Sequence, residues 1–430
     1  MPPLPAIMRG RMAGGGLPRH WLRSLEGLLH DMEFRIARRM KGAFRGLAVA
    51  LLFSASALPV AAANLDTIAA QAILIDMETG TVLFEKNADQ RMPTSSMSKV
   101  ATAYMVFERL KEGRLSLDDT LPVSEQAWKV QGSKMFVELG NNIKVEDLIR
   151  GVIIQSGNDA CVVLAEGLSG TEAAFATAMN KRMKELGLNA TNLMNASGWP
   201  DPDHYSTARD LSTLAVRLIH DFPEYFHYYS EQEFTYHGIK QGNRNPLLYR
   251  NMGVDGMKTG HTEAAGYGLI ATGKRNDRRL VMVVNGLPNM QARADESARI
   301  LEWGWREFDN YALFKAGEIV DSLPVWLGEA ETVPLTVEQQ VKITFTHEQR
   351  RQMKVTLVAD SPVEAPVAKG AKLATLRITA PDFQTLEIPL VASAEVQRKG
   401  LFGRVAAAAS HMLFGAPDTA KPAAEPAKAQ

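Results

Sequence analysis

The sequence predicts an α+β fold, an antiparallel sheet covered by a cluster of helices, followed by a small all-β domain. Three observations predict it. Strand-like alternation occupies residues 71–84 and returns over 253–284, with helical periodicity filling the stretch between. Strands at both ends of a helical cluster close into one antiparallel sheet more simply than into a parallel one. From about Leu313 the chain changes to short alternating runs separated by turns, the mark of a separate β-rich domain.

In chain order, Gln71 to Met77 alternates and is β-branched, Glu78-Thr79-Gly80 supplies a turn, and Thr81 to Phe84 pairs back as a hairpin. Pro93 and the hydroxyls of Thr94 and Ser95 are helix-start residues, suited to capping free N–H groups. A helix from near Ser96 then carries Val100, Tyr104 and Leu110 on one face with Met97 and stops at Lys111-Glu112-Gly113-Arg114. Further helices are expected over Val145 to Gln155, ending at Ser156-Gly157-Asn158-Asp159, then after that junction through Leu164, from about Thr171 to Leu186 and from about Thr207 to His220. Strands follow over Gly253 to Lys258, Tyr267 to Thr272 and Arg279 to Val284, the last two joined by a tight Lys274-to-Asp277 connection, and a closing helix covers Asp295 to Phe308. The second domain is read as strands over Val341 to Phe345, Val355 to Val358, Leu373 to Ile378 and Leu386 to Leu390.

Composition narrows the function classes. Lys plus Arg and Asp plus Glu both number 48, so no basic excess marks a nucleic-acid surface. A single cysteine, Cys161, excludes an intrachain disulfide framework, and its apolar neighbours make it a small buried residue. Residues 32–63 read as a secretory signal: Arg35, Arg38, Arg39, Lys41 and Arg45, then an apolar core from Leu47 to Val60, then Ala61-Ala62-Ala63 before Asn64. Residues 1–31 do not resemble the basic start of such a signal, which points to Met32 or Met40 as the true start. The chain therefore divides into an N-terminal extension plus signal (1–63), a first domain (64–311), a β-rich domain (312–394), an amphipathic helix (395–415) and an Ala/Pro/Lys tail (416–430). In the amphipathic stretch Leu401, Phe402, Val405, Ala409, Met412 and Leu413 share one arc, a pattern suited to lying in a membrane interface.

The chemistry rests on three short stretches. In Ser96-Met97-Ser98-Lys99 a hydroxyl and an amine stand one helical turn apart and face the same way. A serine is a poor nucleophile until a neighbouring base takes its proton. Ser156-Gly157-Asn158 offers a hydroxyl and an amide between two helical runs, and Lys258-Thr259-Gly260 ends a strand with a cation, a hydroxyl and a bare edge. Each alone is ordinary: a capped helix start, a helix junction, a solvated strand-end lysine. In this order, separated by about 60 and about 100 residues, they form the set that marks penicillin-binding proteins and serine β-lactamases. Two lookalikes fail: His347-Glu348-Gln349-Arg350-Arg351 ends in Arg351 where a zinc helix needs histidine, and Gly268 to Lys274 is followed by Arg275 where a phosphate loop needs Ser or Thr.

With these motifs, and with the wording of residues 155–161, 206–211 and 254–262, the chain resembles the low-molecular-mass penicillin-binding proteins, specifically the serine-type D-alanyl-D-alanine carboxypeptidases, over about residues 68–400. The resemblance implies removal of the terminal D-alanine from peptidoglycan pentapeptide stems, with no cofactor or metal, and acylation of the same serine by β-lactams. It implies Ser96 as nucleophile, Lys99 as its base, Ser156 as proton relay to the leaving nitrogen, Asn158 as orienter and Lys258 as the cation that tunes Ser156 and, together with partial burial, lowers the Lys99 pKa. The oxyanion would sit between the backbone N–H groups of Ser96 and His261, donors typically worth about 3 kcal/mol each. Gly260 would keep the strand edge bare for the substrate, and the hydroxyls of Thr259 and Thr262 with Arg279, Arg209 assisting, would grip the substrate carboxylate, while Arg278 should face the other way. It further implies a periplasmic protein docked on the outer face of the cytoplasmic membrane through the amphipathic helix. A serine β-lactamase would need a water-activating loop carboxylate, and the E-x-x-L-N motif that supplies one is matched only by the letters Glu185 to Asn189 at a helix end. A catalytically idle peptidoglycan-binding protein would not need all three stretches intact.

Overall fold

The computed structural model describes residues 65–403 and Val405. The expected signal at 32–63 and the far half of the expected amphipathic helix lie outside these residues.

Five strands form one antiparallel sheet: β1 (Gln71–Asp76), β2 (Val82–Lys86), β3 (Val254–Thr262), β4 (Gly266–Arg275) and β5 (Arg278–Leu287), in the order β2-β1-β5-β4-β3. The N-terminal hairpin thus joins the late strands through β1 and β5, which pair from Gln71↔Asn285 to Asp76↔Leu280. Asn276 and Asp277, both at positive φ, make the two-residue turn between β4 and β5, a backbone twist that matches the flanking strands. β3 is left as an edge. It runs on to Thr262, so Lys258-Thr259-Gly260 lies within the strand rather than at its end.

The helical cluster comprises α1 (Lys99–Lys111), α2 (Val145–Ile153), α3 (Asn158–Ser169), α4 (Glu172–Glu185) and α5 (Ala208–Asp221), and α6 (Met290–Glu307) packs on β4 and β5. α1 buries Val100, Tyr104 and Phe107, with Tyr104 edge-on to Phe222 at 4.8 Å between ring centroids. Full burial of side chains of this size stabilises by about 1.5–3 kcal/mol each. Thr171 and Thr207 cap α4 and α5 through their hydroxyls. α6 starts five residues before the expected Asp295, because Asn289 accepts from the N–H of Ala292 and sets the first turn there.

The entry to α1 also departs from expectation. Residues Ser95–Ser98 form a 3₁₀ turn, and neither hydroxyl expected to cap it does so. Thr94 Oγ1 bonds Ser98 Oγ at 2.6 Å instead, and Ser95 Oγ donates to Thr262 Oγ1 at 3.2 Å.

The β-rich lobe begins with β6 (Phe308–Phe314), which leaves α6 without a loop and pairs with β9 (Val341–Thr346). A six-stranded sheet follows, built from β7 (Ile319–Trp326), β8 (Thr332–Thr336), β10 (Lys354–Ala359), β11 (Val363–Glu364), β12 (Lys372–Thr379) and β13 (Leu386–Ala392) in the order β10-β12-β13-β8-β7-β11. Val333, Leu335, Phe345, Ile378 and Leu390 fill its core. His347–Gln352 is a short helix, α7, closed by a Thr346/Gln349 capping box. Residues 395–400, expected as helix, are extended: Val396 bridges Val367 and Arg398 bridges Gly328, and helix begins only at Leu401. Among the described residues no helix is long and apolar enough to cross a membrane.

Candidate active site

The three motif stretches meet at the free edge of β3. The approach needs Gly260: a Cβ there would stand 2.8 Å from Thr94 O and 3.0 Å from Met97 Cγ, so only a bare backbone lets the edge lie against the turn that carries Ser96. That turn is tight, with Ser95 in the left-handed region at φ 48°. The 3₁₀ geometry still puts residues 96 and 99 on one side, and Lys99 Nζ stands 2.9 Å from Ser96 Oγ.

Lys99 is buried and has two further partners, Asn158 Oδ1 at 2.8 Å and the Ser197 carbonyl at 2.6 Å. An ammonium would donate to all three. A neutral amine gives its two hydrogens to the two acceptors that hold no proton of their own, and its lone pair is left facing the Ser96 hydroxyl. Burial, with the Arg244 charge adding, brings Lys99 down from 10.5 to about 8. The sequence reading gave that role to Lys258 together with partial burial; burial is the larger cause, and the contributing cation is Arg244. Asn158 is itself fixed, since its amide donates to the Gln131 carbonyl at 2.7 Å.

Ser156, also left-handed at φ 60°, accepts from Lys258 Nζ at 3.0 Å. Lys258 is fully buried, and burial, with the Lys99 and Arg244 charges adding, holds it well below its ordinary value. The cleft above these groups has a volume of about 450 Å³ and is lined by Ser96, Ser156, Thr259, Gly260 and His261, together with Ser133, Tyr267, Met290, Arg244 and Arg293. The His261 ring is exposed and lies against Tyr267, 3.9 Å between centroids. Thr262 faces a neighbouring groove with Trp199 and Tyr205, its hydroxyl taken by Ser95 Oγ and the Ala265 N–H.

Neither arginine expected to grip the substrate carboxylate is in the cleft. Arg279 forms a two-pronged ion pair with Asp255, both bonds 2.6 Å, and its guanidinium stacks over Phe226. It pairs with Lys274 in the sheet, whereas the cleft lies at Tyr267, seven residues along β4 or about 23 Å away at a strand's rise. Arg209 is held at the surface by Asp89 and Glu85. Arg278, expected to face away, does so: it is buried against Asp76.

The cleft has instead two guanidiniums that sequence reasoning missed. Arg293 lies on the first turns of α6, its Nε buried without a partner and its plane beside the Tyr267 ring. Arg244 donates to Ser133 Oγ at 2.5 Å. Burial lowers both, yet guanidiniums so placed stay cationic at neutral pH. Among the residues lining the cleft there is no Asp or Glu, so the two guanidiniums leave it positively charged. The cap at Asn289 was the available signal for Arg293; starting the helix at Asp295 left that arginine in a loop. Nothing in the sequence marks Arg244.

A hydroxyl, a buried amine with its lone pair on that hydroxyl and a second hydroxyl–amine pair facing the same cleft form an acyl-transfer constellation. Residues 58–289 match the family model described as D-alanyl-D-alanine carboxypeptidase. The chain belongs to the D-alanyl-D-alanine carboxypeptidase family. These are serine-type peptidases of the low-molecular-mass penicillin-binding group, and residues 308–398 match the C-terminal domain of penicillin-binding protein 5. Within the family the chain is 37% identical over 375 residues to D-alanyl-D-alanine carboxypeptidase DacC of Escherichia coli K12, covering 84% of this chain and 94% of the relative. Penicillin binding protein 5 from Haemophilus influenzae superposes with a TM-score of 0.70 at 36% identity, over 78% of this chain and 99% of that one. Penicillin-binding protein D2 from Listeria monocytogenes in its ampicillin-bound form is 32% identical, with a TM-score of 0.52 over 56% of this chain and 99% of that one.

Proposed function

We propose that the chain removes the terminal D-alanine from peptidoglycan pentapeptide stems through an acyl-enzyme on Ser96. The observation that carries this reading is Lys99 Nζ at 2.9 Å from Ser96 Oγ, with Asn158 Oδ1 and Ser197 O as its other two partners, so that the amine, once neutral, turns its lone pair to the Ser96 hydroxyl. Ser96 Oγ attacks the carbonyl carbon of the penultimate D-Ala while its proton passes to Lys99 Nζ. The oxyanion is held by the N–H groups of Ser96 and His261, and Ser156 Oγ gives its proton to the departing D-Ala nitrogen as the C–N bond breaks. Lys258 restores the Ser156 proton and is itself replenished by the proton that Lys99 took from Ser96. The freed Lys99 amine then takes a proton from the attacking water and returns it to Ser96 Oγ as the ester C–O bond breaks. Arg293 and Arg244, with the Thr259 hydroxyl, hold the substrate carboxylate in place of Arg279 and Arg209. A β-lactam enters the same course, its ring nitrogen taking the position of the leaving amine.

Release of D-alanine from an acyl-D-Ala-D-Ala pentapeptide, measured for the wild type, Ser96→Ala and Lys99→Ala, tests the reading. Release is expected only from the wild type, and release undiminished in Ser96→Ala overturns it. A penicilloyl adduct lasting minutes supports the carboxypeptidase, whereas rapid turnover of many equivalents supports a β-lactamase. Glu185, the one carboxylate in the lookalike loop motif, pairs with Arg182 and does not line the cleft.

The same reading places the enzyme outside the cytoplasm, exported by residues 32–63 and held on the outer face of the membrane by the helix that starts at Leu401. Leu401, Phe402 and Val405 are 65%, 90% and 63% exposed, an apolar edge turned to solvent. Co-sedimentation with anionic vesicles should fall at least tenfold in Leu401→Asp/Phe402→Asp, and unchanged binding refutes the anchor.

A further inference from the structure

Beside the nucleophilic turn, where the neighbouring groove meets it, a serine–histidine contact is buried. His204 Nε2 stands 2.7 Å from Ser98 Oγ, and the backbone N–H of Met194 reaches His204 Nδ1 at 3.1 Å. The protons of this cluster can be assigned by elimination. The Met194 amide must donate, so Nδ1 offers a lone pair and the neutral ring carries its hydrogen on Nε2, aimed at Ser98 Oγ. Ser98 Oγ also lies 2.8 Å from the Ser95 carbonyl, which can only accept. With the imidazole donating to Ser98 Oγ, the one Ser98 proton goes to Ser95 O, and Thr94 Oγ1 at 2.6 Å becomes a second donor to Ser98. Thr94, Ser95, Ser98 and His204 are all buried, Thr94, Ser95 and His204 at the floor of the neighbouring groove.

The Ser95 carbonyl is the peptide oxygen immediately before the nucleophile, on the residue whose left-handed backbone aims Ser96. The segment carrying His204 touches this turn at two further points. Gly198 lies so close that a Cβ there would overlap Ser95 O at 1.9 Å, and Ser197 O accepts from Lys99. One connection thus holds the base and two hold the peptide that presents the nucleophile.

We propose that His204 is a positioning residue for the nucleophile: through Ser98 it fixes the Ser95 carbonyl, and so holds the turn that keeps the Ser96 oxygen on the Lys99 amine. His204 touches neither substrate nor Ser96, and it acts only through Ser98 and the Ser95 peptide. The inference rests on the acylation of Ser96 described above.

The test separates binding from chemistry, using a fluorescent penicillin and the D-Ala-D-Ala pentapeptide. His204→Phe keeps ring volume and removes the Nε2–H. Misplacing a reacting group by an ångström can cost about 100-fold, so a loss of about 10- to 100-fold in the acylation rate constant is expected, with the non-covalent dissociation constant within about twofold of wild type. His204→Gln, whose amide N–H reaches the Nε2 position, should recover most of the rate. Ser98→Ala should show the same split, and the double variant His204→Phe/Ser98→Ala should be no slower than the worse single one, because both remove one connection. If His204→Phe does not fold, Ser98→Ala and His204→Gln carry the comparison. Wild-type acylation in His204→Phe or Ser98→Ala, or equal losses in Gln and Phe variants, overturns the proposal. A wild type that is not acylated at all would instead refute the parent reading.

Discussion

Lys99 has only three positions for hydrogen or lone pair, and Asn158 and Ser197 take two of them, so its protonation state decides whether Ser96 can lose a proton. Burial holds the amine to about 8, which makes the charged, inactive form dominant below that pH. At two pH units below its pKa only about 1 lysine in 100 is neutral. Acylation measured as kcat/KM should therefore rise about tenfold per unit up to pH 8 and level off above it; a profile flat from pH 6 to 9 would exclude Lys99 as the base. The arginines give a second prediction at this scale. A hydrogen bond to a charged group is worth about 1.5–3 kcal/mol, so Arg293→Ala should raise the pentapeptide KM about 10- to 100-fold. Arg279→Ala should leave KM unchanged, since its guanidinium is spent on Asp255. Steady-state kinetics on both variants decides between the two assignments.

The wall of the cleft is a loop, and one carboxylate holds it. Asp159, fully buried at the start of α3, accepts from the N–H groups of Met135, Phe136 and Val137, with Phe136 in the left-handed region at φ 71°. The same loop gives the Gln131 carbonyl to the Asn158 amide. Asp159→Ala would orphan two buried donors, Met135 N–H and Val137 N–H, and free a part-buried third at Phe136, and at about 1–3 kcal/mol for each buried donor the variant should lose several kcal/mol in urea unfolding. Any folded fraction should acylate more slowly, because Asn158 loses its brace; stability and acylation both at wild-type level would show that the loop is held elsewhere. This arrangement also shows what could be read beforehand. Ser96, Lys99, Ser156, Asn158 and Lys258 were legible because their spacing marks a known chemistry, and the paired strands because alternation and turn residues agree. The 131–137 loop, Arg244 and the Ser197 carbonyl were not, since each acts through backbone or through a contact 80 or more residues away that no local pattern encodes. The 395–400 segment misled for the opposite reason: its periodicity suits a helix, but pairing with Val367 and Gly328 satisfies its backbone first.

Between the lobes the chain is continuous, α6 passing into β6, and the joint is polar. Asp76, fully buried at the end of β1, accepts from Arg278 Nε at 2.6 Å and from the amide of Asn310 at 3.2 Å. Arg278 also donates to the carbonyls of Gly304 and Phe308, and Thr79 and Glu78 bond Thr344 and Lys342 across the lobes. One buried ion pair therefore ties the central sheet to the strand that opens the second lobe. Breaking such a pair from one side costs about 3–5 kcal/mol, because the charge left behind is buried. Arg278→Met should lower the thermal midpoint by several degrees at least, while the folded protein at 25 °C keeps its acylation rate, Arg278 pairing with Arg275 at the end of the β4–β5 hairpin remote from Tyr267. Calorimetry and penicillin acylation on the same preparation check both halves. A variant that lost acylation with its midpoint intact would mean that the joint acts on the cleft, and a variant unchanged in both would mean that water has replaced the guanidinium.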